Sequence, residues 1–212
     1  MLDQKDIANK ISEGLVGLNI KAEQETVNRL VTLIDLLASW NQKLNLTAIK
    51  APQEMVVLHI LDSAALSPLL PSNISTVADV GTGAGFPGLV LATLNPKLKF
   101  TLIDSIAKKL SFVRMAALKM GLENVEIVNK RVEEIKDQKF DLVVSRAFAP
   151  LGRMCNWCLP ILKEQGLMIA MKANLTEQEY KDVPHSVKIE EIVDLFVPML
   201  DAKRQAVFIR HS

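Results

Sequence analysis

Four glycines lie within eight residues, from Gly81 to Gly88, directly after the apolar run Thr76–Val80. Glycine lets a backbone turn sharply and lets a ligand approach without a Cβ in the way. An apolar strand, a glycine turn and a helix, in this order, place the turn at the carboxyl end of a parallel strand, which is the usual ligand crevice of open α/β sheets. The sequence therefore predicts an α/β fold with a ligand site at this turn.

Further apolar runs predict the rest of the sheet. Four of them follow the first along the chain: Lys99–Asp104, Val125–Val128, Phe140–Ser145 and Leu167–Met171. Helical periodicity between these runs predicts helices over about 86–94, 106–120 and 151–162. Apolar strands that alternate with helices imply a parallel sheet covered on both faces. Two more candidate strands, 187–196 and 206–210, are joined by a short loop and predict an antiparallel hairpin at the sheet edge, which makes seven strands in all.

The first seventy residues have a different pattern, since apolar residues recur there at helical spacing and no strand pattern precedes Ser75. Ile7 to Leu18 and Val27 to about Leu44 each predict an amphipathic helix, and Pro52 suits the first position of a third. We therefore expect an N-terminal helical extension over residues 1–72 and an α/β domain over residues 73–212.

Charge and composition limit the possible partners. The 212 residues include 25 Lys and Arg and 24 Asp and Glu, a formal net charge of +1. Proteins that coat nucleic acid are usually far more basic, so any contact with RNA must use a local patch. No apolar run approaches the roughly 20 residues that cross a bilayer. With no signal-peptide pattern either, we expect a cytoplasmic protein with no membrane partner, and a monomer.

The two cysteines, Cys155 and Cys158, do not amount to a disulfide framework. They form a C-x-x-C pair within a predicted helix, with no second pair of ligands nearby, whereas zinc needs about four ligands. We expect them to pack, and we expect no metal site.

Two ligand classes fit the glycine turn. Gly83-x-Gly85-x-x-Gly88 matches the dinucleotide pattern, which would indicate an NAD-dependent oxidoreductase. The fuller pattern, Asp79-x-Gly81-x-Gly83-x-Gly85, favours S-adenosylmethionine (SAM). SAM has no pyrophosphate and needs no helix N-terminus as an anion site. Its ammonium group needs an acid nearby, and Asp79 is suitably placed to contact it directly or through water.

Two polar residues at later strand ends are candidate site residues. Asp104 ends the second predicted strand, where an acid can accept hydrogen bonds from ribose hydroxyls; the alternative is an ordinary helix-capping Asp. Arg146 ends the fourth strand, where the methyl group and its acceptor would meet. An arginine there is costly to bury unpaired, so it is either half-exposed or has a partner. We expect Phe148, two residues later, to belong to the core.

The chain resembles the glucose-inhibited division protein B family, also called ribosomal RNA small-subunit methyltransferase G. The matching segments are Trp40-Asn41-x-x-x-Asn45-Leu46-Thr47, His59-x-x-Asp62-Ser63, Asp79 to Gly88, Leu102-Ile103-Asp104-Ser105 with Lys108-Lys109, Arg131-Val132-Glu133 and Ser145-Arg146-Ala147-Phe148-Ala149. The resemblance implies a class I SAM-dependent methyltransferase fold of Rossmann-like type. It also implies methyl transfer to N7 of a guanine in 16S rRNA, within the 30S subunit or an assembly intermediate.

The resemblance also implies roles for individual residues. With the glycine-turn pattern it gives this cofactor-binding set: Asp79, Gly81, Gly83, Gly85, Phe86, Asp104, Val132, Glu133 and Arg146. In it, Asp104 holds the ribose, Val132 and Glu133 flank the adenine, and Arg146, the one candidate catalytic residue, faces the acceptor guanine. The sequence departs from the family pattern at Lys172, which is followed by Ala173 where the family has Gly.

The RNA contacts are expected on the helix over 106–120, whose basic side chains Lys108, Lys109 and Arg114 are candidates for phosphate binding. The alternative is an ordinary solvated helix face. Three other functions compete with rRNA methylation: a SAM-dependent methyltransferase of a protein or small molecule, the NAD-dependent oxidoreductase, and a non-catalytic ribosome-assembly factor that binds SAM for stability. Methyl transfer to ribosomal particles distinguishes rRNA methylation from these three alternatives.

Overall fold

A computed structural model describes residues 4–212 and contains one seven-stranded sheet in the order β3-β2-β1-β4-β5-β7-β6. The strands are β1 (Thr76–Val80), β2 (Lys99–Asp104), β3 (Val125–Asn129), β4 (Phe140–Arg146), β5 (Leu162–Lys172), β6 (Val187–Asp194) and β7 (Gln205–His211). Strands β1 to β5 pair in parallel, and β7 runs antiparallel to both β5 and β6. The predicted mostly parallel sheet with an antiparallel edge hairpin is confirmed.

The helices cover the sheet and fill the N-terminal third of the chain. They are α1 (Gln4–Gly17), α2 (Gln24–Leu44), α3 (Pro52–Met55), α4 (Asp62–Ala64), α5 (Gly88–Leu94), α6 (Ala107–Lys119), α7 (Leu151–Cys158) and α8 (Glu177–Lys181). Pro52 stands in the first turn of α3, where its missing N–H costs nothing. Residues Val56–Leu61 form a π-helical turn between α3 and α4. Such turns are rare and often lie at functional sites.

The region between α7 and β6 differs most from the sequence-based expectation. The helix predicted over 151–162 ends at Cys158, and Leu159–Ile161 forms a 3₁₀ turn, because Pro160 has no N–H to continue an α-helix. Strand β5 consequently begins at Leu162 rather than Leu167. Helix α8 was not predicted, since five residues are too few to show a helical period.

One apolar core joins the N-terminal helices to the sheet. Buried side chains of α1, α2 and the π-helical turn, such as Ile7, Leu37 and Ile60, belong to the same cluster as Leu89 of α5 and Phe100 of β2. A second cluster, with α7 and the hairpin strands, covers the opposite face. The helical extension is therefore packed against the α/β unit and adds to its core. Within residues 4–212, no helix is long and apolar enough to cross a membrane.

Candidate active site

The glycine turn after β1 has the backbone conformation that requires glycine. Gly81, Gly83 and Gly85 have φ values of 70°, 58° and 88°, in the left-handed region that other residues rarely adopt. The backbone N–H of Gly81 donates to the carbonyl oxygen of Ile103 on β2 at 2.9 Å. A Cβ at Gly81 would collide with the ring of Phe148. The turn is thus fixed to the neighbouring strand and pressed closely by an aromatic side chain.

Asp79 lies beneath the turn and is completely buried. Its Oδ2 accepts hydrogen bonds from Thr82 Oγ1 at 2.6 Å and from the Gly88 N–H at 2.8 Å, so it holds both ends of the turn. Burial raises the pKa of Asp79 to about 6, although these two hydrogen bonds act in the opposite direction. Its Oδ1 has no hydrogen-bond partner among residues 4–212. The expected contact with a ligand ammonium stays a prediction, and only Oδ1 is free to make it.

A cleft of about 380 Å³ opens at the carboxyl ends of β1, β2, β3 and β4. Four of the predicted cofactor residues line it: Gly81, Asp104, Val132 and Glu133. They come from three separate places in the chain, after β1, at the end of β2 and after β3, and the parallel order of the strands brings them to one edge. Lys109, predicted from the sequence as an RNA contact, also lines this cleft.

Asp104 connects the cleft to the glycine turn. Its Oδ2 accepts from the Gly83 N–H at 2.9 Å, and its Oδ1 accepts from the Ile106 N–H at 2.8 Å, at the start of α6. The N-cap of α6 is Ile106 and has no side-chain cap, so Asp104 closes a turn before the helix rather than capping it, and it also lies in the ligand cleft. A carboxylate oxygen can accept two hydrogen bonds, so each oxygen of Asp104 retains an acceptor site that a ribose hydroxyl can use.

The other predicted residues do not line the cleft. Asp79, Gly83 and Gly85 support it from the turn. Phe86 is buried and its ring stacks on that of His59, with centroids 4.7 Å apart and planes at 15°. On α6, Lys108 and Arg114 are exposed to solvent. Two aromatic residues that the sequence did not assign to the cleft, Phe148 and Trp157, form part of its wall.

Arg146 is paired with the N-terminal helices. Its Nη1 donates to Asp62 Oδ2 at 2.8 Å and to the carbonyl oxygen of Leu58 at 2.9 Å, and its side chain is 18% exposed. The second oxygen of Asp62 accepts from Arg204 Nε at 2.9 Å. Of the two predicted alternatives for Arg146, the paired arginine is the one observed. Sequence reasoning missed Arg204, because no local pattern relates it to a partner 142 residues away.

His59 extends this cluster to the loop after α2. Its Nδ1 lies 3.2 Å from Arg146 Nη2, and its Nε2 lies 2.9 Å from Thr47 Oγ1. Burial, together with the charge of Arg146, lowers the pKa of His59 to about 3, so the ring is neutral. Because arginine only donates, Nδ1 accepts and the Nε2–H donates to Thr47. Asn41 fixes the Thr47 loop by accepting from its N–H at 2.9 Å and donating to its carbonyl oxygen at 3.0 Å.

The two cysteines lie apart from this chemistry. Both are buried, and burial raises the pKa of Cys155 to about 11 and that of Cys158 further. Within residues 4–212, no group of three or more His, Cys, Asp or Glu side chains is arranged to hold a metal ion.

The cleft has the features that an adenosyl ligand requires. Gly81 and the Phe148 ring packed on it form one wall, a carboxylate stands at the end of β2, and the apolar Val132 lies beside the acidic Glu133 after β3. These groups suit a ribose and an adenine ring. The residues present therefore fit SAM.

Comparison with known proteins gives matches to one methyltransferase family. A family model described as rRNA small subunit methyltransferase G matches residues 26–208. A ribosomal RNA small subunit methyltransferase G from Actinobacillus succinogenes is 45% identical over 195 residues, which cover 92% of this chain and 90% of the relative. The protein of the same name from Haemophilus influenzae is 41% identical, over 95% of this chain and 98% of its own.

Solved structures show the same fold at low identity. The mitomycin 7-O-methyltransferase aligns with a TM-score of 0.65 and 12% identity, over 99% of this chain and 69% of its own. A ribosomal protein L11 methylase from Lactobacillus delbrueckii subsp. bulgaricus aligns with a TM-score of 0.55 and 20% identity, over 72% of this chain and 77% of its own. These likenesses show the class I methyltransferase fold.

Proposed function

The chain belongs to the rRNA small subunit methyltransferase G family, and from this membership we infer that it methylates N7 of a guanine in 16S rRNA, with SAM as the methyl donor. Membership of a methyltransferase family decides between the two ligand classes that the glycine turn left open. The observation that carries the function to this chain is the cleft at the glycine turn, where Gly81, Asp104, Val132 and Glu133 meet.

We propose that these four residues hold SAM, with Asp104 on the ribose and Val132 and Glu133 beside the adenine. Asp79, Gly83, Gly85 and Phe86 support the same site, since they shape the turn and its flank. The hydrogen bond from the Gly83 N–H to Asp104 supports this assignment, because it fixes the carboxylate, and with it the proposed ribose position, relative to the glycine turn.

The reaction needs positioning more than proton transfer. When bound in the cleft, SAM would supply the methyl group of its sulfonium to the guanine N7 lone pair; the electrons of the S–C bond would stay on sulfur, and no proton would have to be removed. The enzyme's residues therefore need no general base. In agreement, His59 has no ring nitrogen free to accept a proton, because Nδ1 accepts from Arg146 and the Nε2–H donates to Thr47. Orientation of two reactants alone can contribute on the order of 7–11 kcal/mol.

We propose that Arg146 lies at the acceptor side and binds O6 or a phosphate rather than N7. The methylated guanine is cationic, so a guanidinium directly at N7 would oppose the reaction. Of its five N–H groups, three are used by Asp62, Leu58 and His59, which leaves two for RNA. Arg146→Lys should lower the methylation rate at saturating SAM. The control is Arg29→Lys, which changes an arginine of α2 whose ion pair with Glu25 is at the surface. Unchanged methylation and SAM affinity in Arg146→Lys and Arg146→Ala would contradict this role.

We further propose the setting of the reaction. N7 lies in the major groove, which in A-form RNA is too deep and narrow for side chains, so the guanine must be looped out or the rRNA incompletely folded. The substrate is then 16S rRNA within the 30S subunit or an assembly intermediate, bound by a cytoplasmic monomer. Residues 1–72 act as the helical extension and residues 73–212 as the SAM domain. Lys108, Lys109 and Arg114 contact phosphates beside the cleft.

The test of this setting compares substrates. Purified protein and radiolabelled SAM are given naked 16S rRNA, 30S particles that lack the modification, and assembly intermediates. Label in a ribosomal particle at several times the rate of naked rRNA supports the proposal. Equal rates on naked rRNA would contradict the particle as substrate. SAM binding without transfer to any RNA would favour the protein, small-molecule or assembly-factor alternatives.

A further inference from the structure

Residues 147–150 form a segment beside the cofactor cleft, and two charged residues that do not line the cleft contact this segment and the residue that follows it. It leaves β4 with Ala147 at φ 52°, a conformation that a residue with a Cβ rarely adopts. Phe148 follows, lies against Gly81 and forms part of the cleft wall. Its ring centroid is 5.6 Å from that of Trp157 on α7, which also lines the cleft. The shape of the cleft beside the glycine turn therefore depends on where this segment lies.

Lys172 and Glu179 bind the C-terminal end of that segment and the first residue of α7. Lys172, the last residue of β5, donates from Nζ to the Ala149 carbonyl oxygen at 3.0 Å and to Glu179 Oε1 at 2.7 Å. The same Oε1 accepts from the Leu151 N–H, the first residue of α7, at 3.3 Å. Both side chains are mostly buried, 13% and 23% exposed. The pKa of Glu179 is held below its ordinary value, chiefly by the hydrogen bond from Lys172.

Helix α8 places Glu179 at this point. Thr176 caps α8 by accepting from the Glu179 N–H at 3.2 Å, and a Cβ at Gly152 would collide with the carbonyl oxygen of Asp182 at the end of α8. The close backbone approach requires glycine at 152 and brings α8 against the start of α7. Helix α7 itself has Pro150 at its N-cap and no side-chain cap of its own, so Glu179 satisfies an N–H there that would otherwise lack an acceptor.

We propose that Lys172 and Glu179 are positioning residues, which hold residues 147–150 so that Phe148 forms the wall of the SAM cleft beside Gly81. This rests on the proposed function only in naming SAM as the ligand. It also gives a role to the loop after β5, in which Lys172 is followed by Ala rather than Gly: the lysine turns back to the cleft segment.

The test compares Glu179→Ala and Lys172→Met with Glu177→Ala. Glu177 lies on the same short helix, and its ion pair with Lys181 is exposed and makes no contact with the segment, so it is the matched control. We expect SAM dissociation constants about tenfold higher in the first two variants and within twofold of wild type in the control. The double variant should exceed neither single variant by more than about twofold, because the two residues act as one unit. Glu179→Gln, which keeps an oxygen acceptor, should recover to within about threefold.

Hydrogen exchange of the free protein gives a second measurement that needs no ligand. Peptides over residues 147–152 should exchange faster in Glu179→Ala and Lys172→Met than in wild type or Glu177→Ala. Unchanged exchange there, or faster exchange with unchanged SAM affinity, would overturn the proposal. If Glu179→Ala does not fold, Lys172→Met and Glu179→Gln decide it. A wild-type protein that binds SAM but does not methylate rRNA would overturn the rRNA assignment and not this inference; one that does not bind SAM would overturn both.

Discussion

Arg146 at the end of β4 and Asp62 at the start of α4 form an ion pair, with Nη1 and Oδ2 2.8 Å apart and the Asp62 side chain only 5% exposed. Because Arg204 binds the other oxygen of the same carboxylate, Asp62 joins three parts of the chain: the N-terminal helices, the central strand β4 and the loop before β7. Arg146 is also the residue at the proposed acceptor side. The same carboxylate therefore connects the N-terminal helices to the sheet and holds the arginine that we place at the acceptor side.

Removing the Asp62 carboxylate should be strongly destabilising, because it leaves two partly buried guanidinium groups without their anion. We expect Asp62→Ala to lower the free energy of unfolding by about 3–5 kcal/mol, as measured by urea denaturation. The control is Glu25→Ala, which removes an exposed ion pair with Arg29 and should cost less than about 1 kcal/mol. Equal losses in the two variants would show that the buried cluster contributes no more than a surface pair.

Two glycines of similar backbone conformation should respond differently to alanine. Gly81 has φ 70° and is pressed by Phe148, whereas Gly121 has φ 64° and open space around it. In both variants, the left-handed backbone conformation should cost roughly 1 kcal/mol of stability. Only Gly81→Ala should also displace Phe148 and reduce SAM affinity, by at least about tenfold in calorimetric titration. The account would be wrong if Gly121→Ala lost as much affinity as Gly81→Ala.

His59 should make the protein sensitive to acid. Its pKa is lowered from 6.5 to about 3, so the folded state disfavours the charged ring. The contribution of the neutral ring to stability is complete above pH 6.5 and is lost as the pH falls towards 3, at up to roughly 1.4 kcal/mol per pH unit. His59→Gln should be less stable than wild type at pH 7 and should lose less on acidification. Chemical denaturation between pH 7 and pH 4 measures this, and parallel pH profiles for the two proteins would contradict it.

Asp79 should have the opposite effect on stability, which it should lower as the pH rises. Its pKa is raised from 3.8 to about 6 by complete burial, so the folded state favours the protonated form. The resulting stability is present below pH 3.8 and is lost as the pH rises through 6, by about 3 kcal/mol in total. The ligand-free wild-type protein should therefore lose stability relative to Asp79→Asn between pH 4 and pH 7. A constant difference between the two proteins over this range would show that Asp79 does not titrate there.

The sequence allowed the sheet and much of the cleft to be predicted, because both depend on local patterns. Apolar runs mark the strands, and parallel pairing brings their carboxyl ends to one edge, so Gly81 and Asp104 had to lie close together. The Asp62–Arg204 contact could not be predicted, since it depends on how distant segments pack. The same is true of Phe148, which packs against the second core cluster as expected but also forms part of the cleft wall, and of Glu179, whose helix is too short to leave a periodic pattern.

Transfer of a methyl group from SAM to a guanine N7 in 16S rRNA is the activity that family membership assigns to this chain. The most direct measurement uses radiolabelled SAM with 30S particles that lack the modification, followed by nuclease mapping of the labelled base. We expect label at a single site, recovered as 7-methylguanosine, and slower labelling at subsaturating SAM in Gly81→Ala but not in Gly121→Ala. No label in the rRNA, from a protein that still binds SAM, would contradict the rRNA assignment while leaving the cofactor cleft in place.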